Sequence, residues 1–285
     1  MEISFPFDEL RISGEVELEV GCGNGEFLRF LAEQNKGSGI NYVGIDISWE
    51  SIKRASKRLR GFDNVRLVWG DAYAFLMFGA KNLKFQRIYS LFPDPWPKKR
   101  HTKKRLFSED FWKLLSLRVK GDGVVWIVSD HLPSLLWYYD NAISSGCWYG
   151  YISEGRGYFE TKYARKWKGM GKEIYEVVFS LTKPCDFKIP EVTLNIPKIR
   201  EIKKVNIVGD YKIGDAHLSI KDVFPSEGTI LIKGIISEGR LIHKVWFEIR
   251  KIGEFWRVEP SDFSRFYPTK ALQLALNLIA YELSH

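Results

Sequence analysis

Between Val16 and Val128 short apolar strand patterns alternate with apolar residues at helical spacing, and few folds accommodate that rhythm. Val16 to Val20 reads as a strand, Glu26 to Glu33 as a helix, and Asn41 to Ile47 as a second strand. A basic amphipathic helix follows, with Trp49, Ile52, Ala55 and Leu59 on one face, and then a strand from Val65 to Trp69. Helical spacing resumes from Tyr73 to Met77, and a fourth strand runs from Phe85 to Phe92. Phe107 to Val119 reads as a helix before the very apolar strand Val124 to Val128. Strands separated by helices predict βαβ units and an α/β fold with a mostly parallel sheet. After Pro184 the texture changes. Alternating patterns at His217 to Ile220, Thr229 to Ile235 and His243 to Arg250 lead to a helical segment, Thr269 to Leu283. The expected division is a domain over residues 1–184 and a smaller α+β appendage over 185–285.

Composition narrows the partners. The formal charge is +8, and the excess lies mainly before residue 184, with 28 basic against 22 acidic side chains there. A polyanion site belongs in that part. Cys22, Cys147 and Cys185 are widely spaced and include no CxxC pair, so neither a disulfide framework nor a metal site is expected. No basic-then-apolar leader opens the chain, and no run of 18 or more apolar residues occurs in it. The expectation is a cytoplasmic protein without a membrane span or a metal.

The run from Leu91 to His101, LFPDPWPKKRH, concentrates the chemistry. Pro93, Pro95 and Pro97 can neither be helix nor continue a central strand, so they form a stiff loop that holds Asp94 in a fixed direction. A strand ending in a rigid loop is where open α/β sheets place ligands. Lys98, Lys99, Arg100, Lys103, Lys104 and Arg105 then supply six cations in eight residues, enough to engage several phosphates. His101 lies within this tract and reads as a phosphate or base contact. Trp137, Tyr138 and Tyr139 read as helix packing.

The glycine turn is the second discriminator. A dinucleotide fingerprint needs G-x-G-x-x-G, but this chain has Gly21, Gly23 and Gly25 followed by Glu26. The turn suits close approach of a ligand's amino-acid and ribose parts, with Glu19 placed for an ammonium group. Asp46, closing the second strand beside Ile47, suits a ribose diol because a carboxylate accepts two hydroxyl bonds. Asp71 with Ala72 could serve an adenine edge. Four strand ends then converge on one crevice, an arrangement that resembles S-adenosylmethionine-dependent methyltransferases with their Rossmann-like fold.

With the proline loop added, the resemblance narrows. FPDPWPKKRH followed by TKKRL is similar to the signature of the tRNA (guanine-N7-)-methyltransferase family, which methylates guanine 46 of the variable loop. The likeness covers roughly residues 10–182, including LEVGCGNGEFL, GIDIS, GDA and Thr161-Lys162-Tyr163. It implies that Glu19, Asp46, Asp71 and Asp94 contact the cofactor, that Asp94 is also the catalytic carboxylate, and that Lys98, Asp130 and Thr161 meet a tRNA substrate. No obligatory protein partner is evident. The family usually follows its Thr-Lys-aromatic motif with Glu, where this chain has Ala164, and Glu160 is the nearest acid. Residues after about 186 have no counterpart in the usual family core.

Guanine N7 carries a lone pair and no proton at neutral pH, so its methylation needs no general base. What remains for the protein is alignment, and stabilisation of the positive charge developing on the purine. Phe92 and Trp96 offer stacking surfaces for an unstacked base, or core packing. Two other readings stay open: methylation of another nucleobase amine or a protein side chain, and a lapsed, tRNA-binding protein suggested by Ala164.

Overall fold

The computed structural model describes residues 2–96, 105–155, 173–189, 192–264 and 266–285. The chain divides into two compact units, Met1–Phe187 and Lys188–His285.

The first unit is built on an eight-stranded sheet of order β1-β4-β3-β2-β5-β6-β8-β7. Its strands are β1 (Ile3–Ser4), β2 (Val16–Val20), β3 (Asn41–Asp46), β4 (Val65–Trp69), β5 (Phe85–Leu91), β6 (Val119–Ser129), β7 (Trp148–Glu154) and β8 (Tyr175–Leu181). β1 through β6 pair in parallel, while β8 runs antiparallel to both β6 and β7. β2 is buried along its whole length, as a central parallel strand covered on both faces must be. From β2 the chain winds outward through β3 to β4, then returns to pair β5 on the other side of β2. The order therefore reverses between β2 and β5. Open α/β sheets place their ligand crevices at such a reversal, at the carboxyl ends of the strands.

Helix α1 (Glu26–Gln34) buries Phe27, Leu28, Leu31 and Ala32. It lies close to the sheet because residue 44 has no side chain: a Cβ at Gly44 would stand 2.3 Å from Leu28 Cδ1. Helix α2 (Trp49–Arg58) starts at Ser48, whose Oγ accepts from the amide of Ser51, and ends with Lys57 and Arg58 near its negative pole. The helical spacing after β4 becomes a short α3 (Ala72–Ala74) that continues as a π-helical turn, Phe75–Gly79. Helix α4 (Glu109–Ser116) is shorter than the expected Phe107 to Val119, and β6 already begins at Val119. The cause is Arg118. Its buried guanidinium donates to the carbonyls of Leu76 at 2.6 Å, Lys81 at 2.8 Å and Met77 at 3.2 Å, while its own carbonyl accepts from Phe85. Helix α5 (Leu132–Ser144) carries Pro133 in its first turn.

The cysteine expectation is corrected here. Cys147 and Cys185 form a disulfide with their Cα atoms 5.6 Å apart, and Cys22 is the free, buried thiol. Spacing along the chain hides the pair because the antiparallel register creates it: Trp148 faces Leu181, which brings the residue before β7 beside the segment after β8. Among the described residues no group of three His, Cys, Asp or Glu side chains could hold a metal ion, and no helix is long and apolar enough to cross a membrane.

The second unit is a six-stranded antiparallel sheet of order β10-β11-β12-β13-β14-β9, with β9 (Lys198–Ile199), β10 (Gly209–Ile213), β11 (Ala216–Ser226), β12 (Thr229–Glu238), β13 (Leu241–Ile252) and β14 (Phe255–Pro260). Helix α6 (Lys270–Ser284) packs Leu272, Ala275, Leu276 and Ile279 against Leu218, Ile232, Phe247 and Val258. Thr269 caps it by accepting the amide of Leu272 at 3.2 Å.

Replacing Cys185 with Ser is expected to lower the stability of the first unit by roughly 2–4 kcal/mol. Urea unfolding followed by circular dichroism checks this, and adding dithiothreitol should bring the wild-type curve onto that of the variant.

Candidate functional site

The glycine turn follows β2 directly. Gly21, Gly23 and Gly25 have φ of 78°, 52° and 72°, a region that L side chains rarely enter. The amides of Gly21 and Cys22 both donate to the carbonyl of Ile45, at 2.8 and 3.0 Å, so the turn is tied to the end of β3. A Cβ at Gly21 or Gly23 would meet nothing within 4 Å, whereas one at Gly25 would strike Leu59 at 2.9 Å. Two of the glycines thus line open space for a ligand, and the third lets α1 pack on α2.

The acidic residues divide by role. Glu19 is 3% exposed, and its Oε2 is buried without a hydrogen-bond partner. Burial, then the neighbouring charge of Asp46, raises its carboxyl well above the ordinary carboxylate range. An orphaned buried carboxyl oxygen beside an open glycine turn fits a cationic ligand group. Asp46 is half-buried, and both its oxygens already hold backbone: Oδ2 accepts from Gly23 at 2.9 Å and Oδ1 from Ser48 at 2.8 Å. A carboxylate has capacity for further hydroxyl donors beyond those two. Beside it Ile47 is 73% exposed, with its carbonyl held by Trp69 Nε1 at 3.1 Å, and Trp69 packs against Trp49. Asp71, expected at an adenine edge, serves as the cap of α3 by accepting from Ala74 at 2.9 Å, and Ala72 is buried.

On the other side of the switch point, β5 ends in the proline loop. The amide of Phe92 still donates to Val128 at 2.7 Å, and Ser90 Oγ donates to Val20 at 3.1 Å. Asp94 is exposed at the rim between two residues of left-handed backbone, Phe92 at φ 53° and Trp96 at φ 41°. For bulky side chains each such residue costs of order 1–3 kcal/mol, and it persists only where its surroundings impose it. Helix α5 supplies part of that imposition. Ser134 Oγ donates to the carbonyl of Pro95 at 3.0 Å, and Tyr138 Oη reaches that of Asp94 at 3.5 Å. Burial pushes the Tyr138 hydroxyl up to about 12, so it stays protonated as a donor. His131 is engaged with the first turn of α5, its Nδ1 lying 2.8 Å from Ser134 Oγ and 3.1 Å from the Ser134 amide; with the proton on Nδ1 the imidazole donates to Oγ and leaves the serine hydroxyl proton for Pro95.

Other predicted residues fall differently. Asp130 lies half-buried immediately after β6, at the same sheet end as Asp94. Arg105, expected on phosphate, donates instead to the carbonyl of Trp96 from Nε and Nη2, each at 3.2 Å, and its guanidinium lies over Trp137. Tyr138 is core, packed on Phe107, and Tyr139 packs on Phe179. Lys98, Arg100, His101, Lys103, Lys104, Thr161 and Ala164 lie outside the described residues. Sequence reasoning missed Ser134, Tyr138 and Trp137 as partners of the loop. The signal for Ser134 and Tyr138 was only that a buried hydroxyl on a helix needs an acceptor, and Trp137 carried none.

Comparison with known proteins follows this geometry. A family model described as "Putative methyltransferase" matches residues 13–177. The tRNA (guanine-N(7)-)-methyltransferase of Aquifex aeolicus is 28% identical over 284 residues, covering 94% of this chain and 94% of the relative. That of Thermotoga maritima is 29% identical, covering 98% and 94%. The protein of the same name from Chlorobium phaeobacteroides is 34% identical over 166 residues, covering 55% of this chain and 77% of its own. The first two alignments therefore take in most of the second unit.

If Glu19 holds an ammonium group, Glu19→Gln should weaken S-adenosylmethionine binding about 10- to 100-fold, the worth of a charge-assisted bond. Because its carboxyl is raised in the free protein, wild-type affinity should climb with pH until the ligand's own amine loses its proton. Calorimetric titration across pH reads both effects, and the variant should lose the pH dependence.

Proposed function

The chain belongs to the tRNA (guanine-N7-)-methyltransferase family, and from that premise and the rim geometry we propose that it transfers a methyl group from S-adenosylmethionine to N7 of guanine in tRNA, with guanine 46 of the variable loop as acceptor. The observation that carries the reading is the placement of the open glycine turn and the Asp94 loop on neighbouring strands, β2 and β5, at the point where strand order reverses. S-adenosylmethionine supplies, when bound, a methyl group on a positively charged sulfur.

Each residue then has a task. Glu19 takes the cofactor's ammonium group, Gly21 and Gly23 admit its backbone-facing parts, and Asp46 with Ile47 takes the ribose and adenine side. Asp71 and Ala72 shape the far wall, with Asp71 acting through the backbone it caps. Asp94 stands at the rim, within reach of a base presented by RNA. Its carboxylate stabilises the positive charge that the purine acquires as N7 shares its lone pair. Since N7 carries no proton, no base has to be recruited, which accords with His131 being engaged with the first turn of α5. Lys98, Arg100, His101, Lys103 and Lys104 follow the loop as a phosphate track, and Asp130 and Thr161 complete the contact with substrate. The protein works in the cytoplasm without an obligatory partner chain, and residues 185–285 act as a separate domain; support comes from alignments to the Aquifex and Thermotoga proteins that extend over most of them.

Incubation with unmodified tRNA and S-adenosylmethionine, then digestion and mass spectrometry, should yield 7-methylguanosine. A different methylated nucleoside would move the acceptor atom. No methylation despite tRNA binding would favour a lapsed enzyme, the reading to which Ala164 points. Asp94→Ala should lower kcat by a factor of about 100 or more while the KM for tRNA changes little. Replacing Lys103 and Lys104 with Ala should weaken tRNA binding and make its logarithmic salt slope shallower by about 1 to 2. Filter binding at several salt concentrations measures that slope.

A further inference from the structure

Arg105 closes the cationic tract, yet its guanidinium is spent within the protein. Nε and Nη2 both converge on the carbonyl oxygen of Trp96, each at 3.2 Å, and Cζ lies over the Trp137 ring, 5.0 Å from its centre. The preceding carbonyls are also held: that of Pro95 by Ser134 Oγ at 3.0 Å and that of Asp94 by Tyr138 Oη at 3.5 Å. Three consecutive carbonyls, at 94, 95 and 96, therefore each meet a side-chain donor. Two of those donors and the ring under Arg105 come from α5. The stretch so held is the one bracketed by left-handed Phe92 and Trp96. Prolines 93 and 95 have no amide hydrogen, so carbonyls outnumber amides as points by which this backbone can be gripped. A planar fork that stacks on an aromatic ring suits such a grip, and a lysine ammonium does not reproduce it.

We propose that Arg105, together with Ser134 and Tyr138, is a positioning residue for methyl transfer. It fixes the Asp94 loop through the Trp96 carbonyl and does not read RNA phosphate. The proposal rests on the methyltransferase reading for its kinetic consequence, though not for its structural one.

The test uses the full chain with Arg105→Gln, Arg105→Lys and Ser134→Ala. Both Arg105 variants should lower kcat about 10- to 100-fold, the usual effect of a small displacement of a catalytic group. The KM for tRNA and the salt slope of binding should match wild type, and Ser134→Ala should lower kcat in the same manner by a smaller factor. Hydrogen–deuterium exchange in the peptide spanning Phe92 to Trp96 should speed up in each variant while the thermal melt is unchanged. Wild-type kcat in Arg105→Lys, or a raised KM with a shallower salt slope in Arg105→Gln, would make Arg105 a phosphate contact and overturn the proposal. Unchanged exchange in Ser134→Ala, which alters no charge, would overturn it even if the Arg105 variants did not fold. Should the wild-type protein methylate no guanine, the function proposed above fails, and the exchange measurements still decide the clamp.

Discussion

Both oxygens of the Asp46 carboxylate are committed to backbone amides, one at Gly23 and one at Ser48, and the geometry of the rim follows from that commitment. The turn after β2 and the start of α2 are more than twenty residues apart in sequence, and this one carboxylate joins them. Charge-assisted bonds from a carboxylate to peptide amides are stronger than neutral ones, so the pair can fix a turn built largely of glycine. The carbonyl of Ile45 does the complementary work by accepting from Gly21 and Cys22. Beneath them Gly44 lets α1 settle onto the sheet. The result is a tied glycine turn with open space at Gly21 and Gly23 and a buried carboxyl, Glu19, at the end of the strand that leads into it.

The parallel half of the sheet was legible in the sequence because its strands are short, apolar and punctuated by glycine. Val16 to Val20 and Val65 to Trp69 coincide with β2 and β4. The helix before β6 was overread because periodicity continues past Ser116, while Arg118 turns inward to satisfy carbonyls more than thirty residues upstream. Such a partner leaves no local pattern. The same holds for Cys147 and Cys185, which only the antiparallel register of β7 and β8 brings together. In the second unit the capped helix was readable from Pro268 and Thr269, but the order of its strands was not.

The site was legible at the level of residue type and less so at the level of role. Glu19 and the glycines lie together at the carboxyl end of β2, the carboxyl buried and Gly21 and Gly23 facing open space. Asp71 and Arg105 carry charges that sequence reading assigns to ligands, and the structure employs both on backbone. A charged side chain near a strand-end loop has two competing uses, and only coordinates show which carbonyl or amide reaches it first.

Phe92 and Trp96 carry a consequence for how this sequence can change. Glycine at either position would relieve the left-handed backbone, but it would also remove a half-buried ring and loosen the unfolded chain. The same replacement would enlarge the set of directions open to Asp94. The bulky residues at 92 and 96 thus narrow the orientations of the carboxylate between them, at the cost of two strained backbone positions.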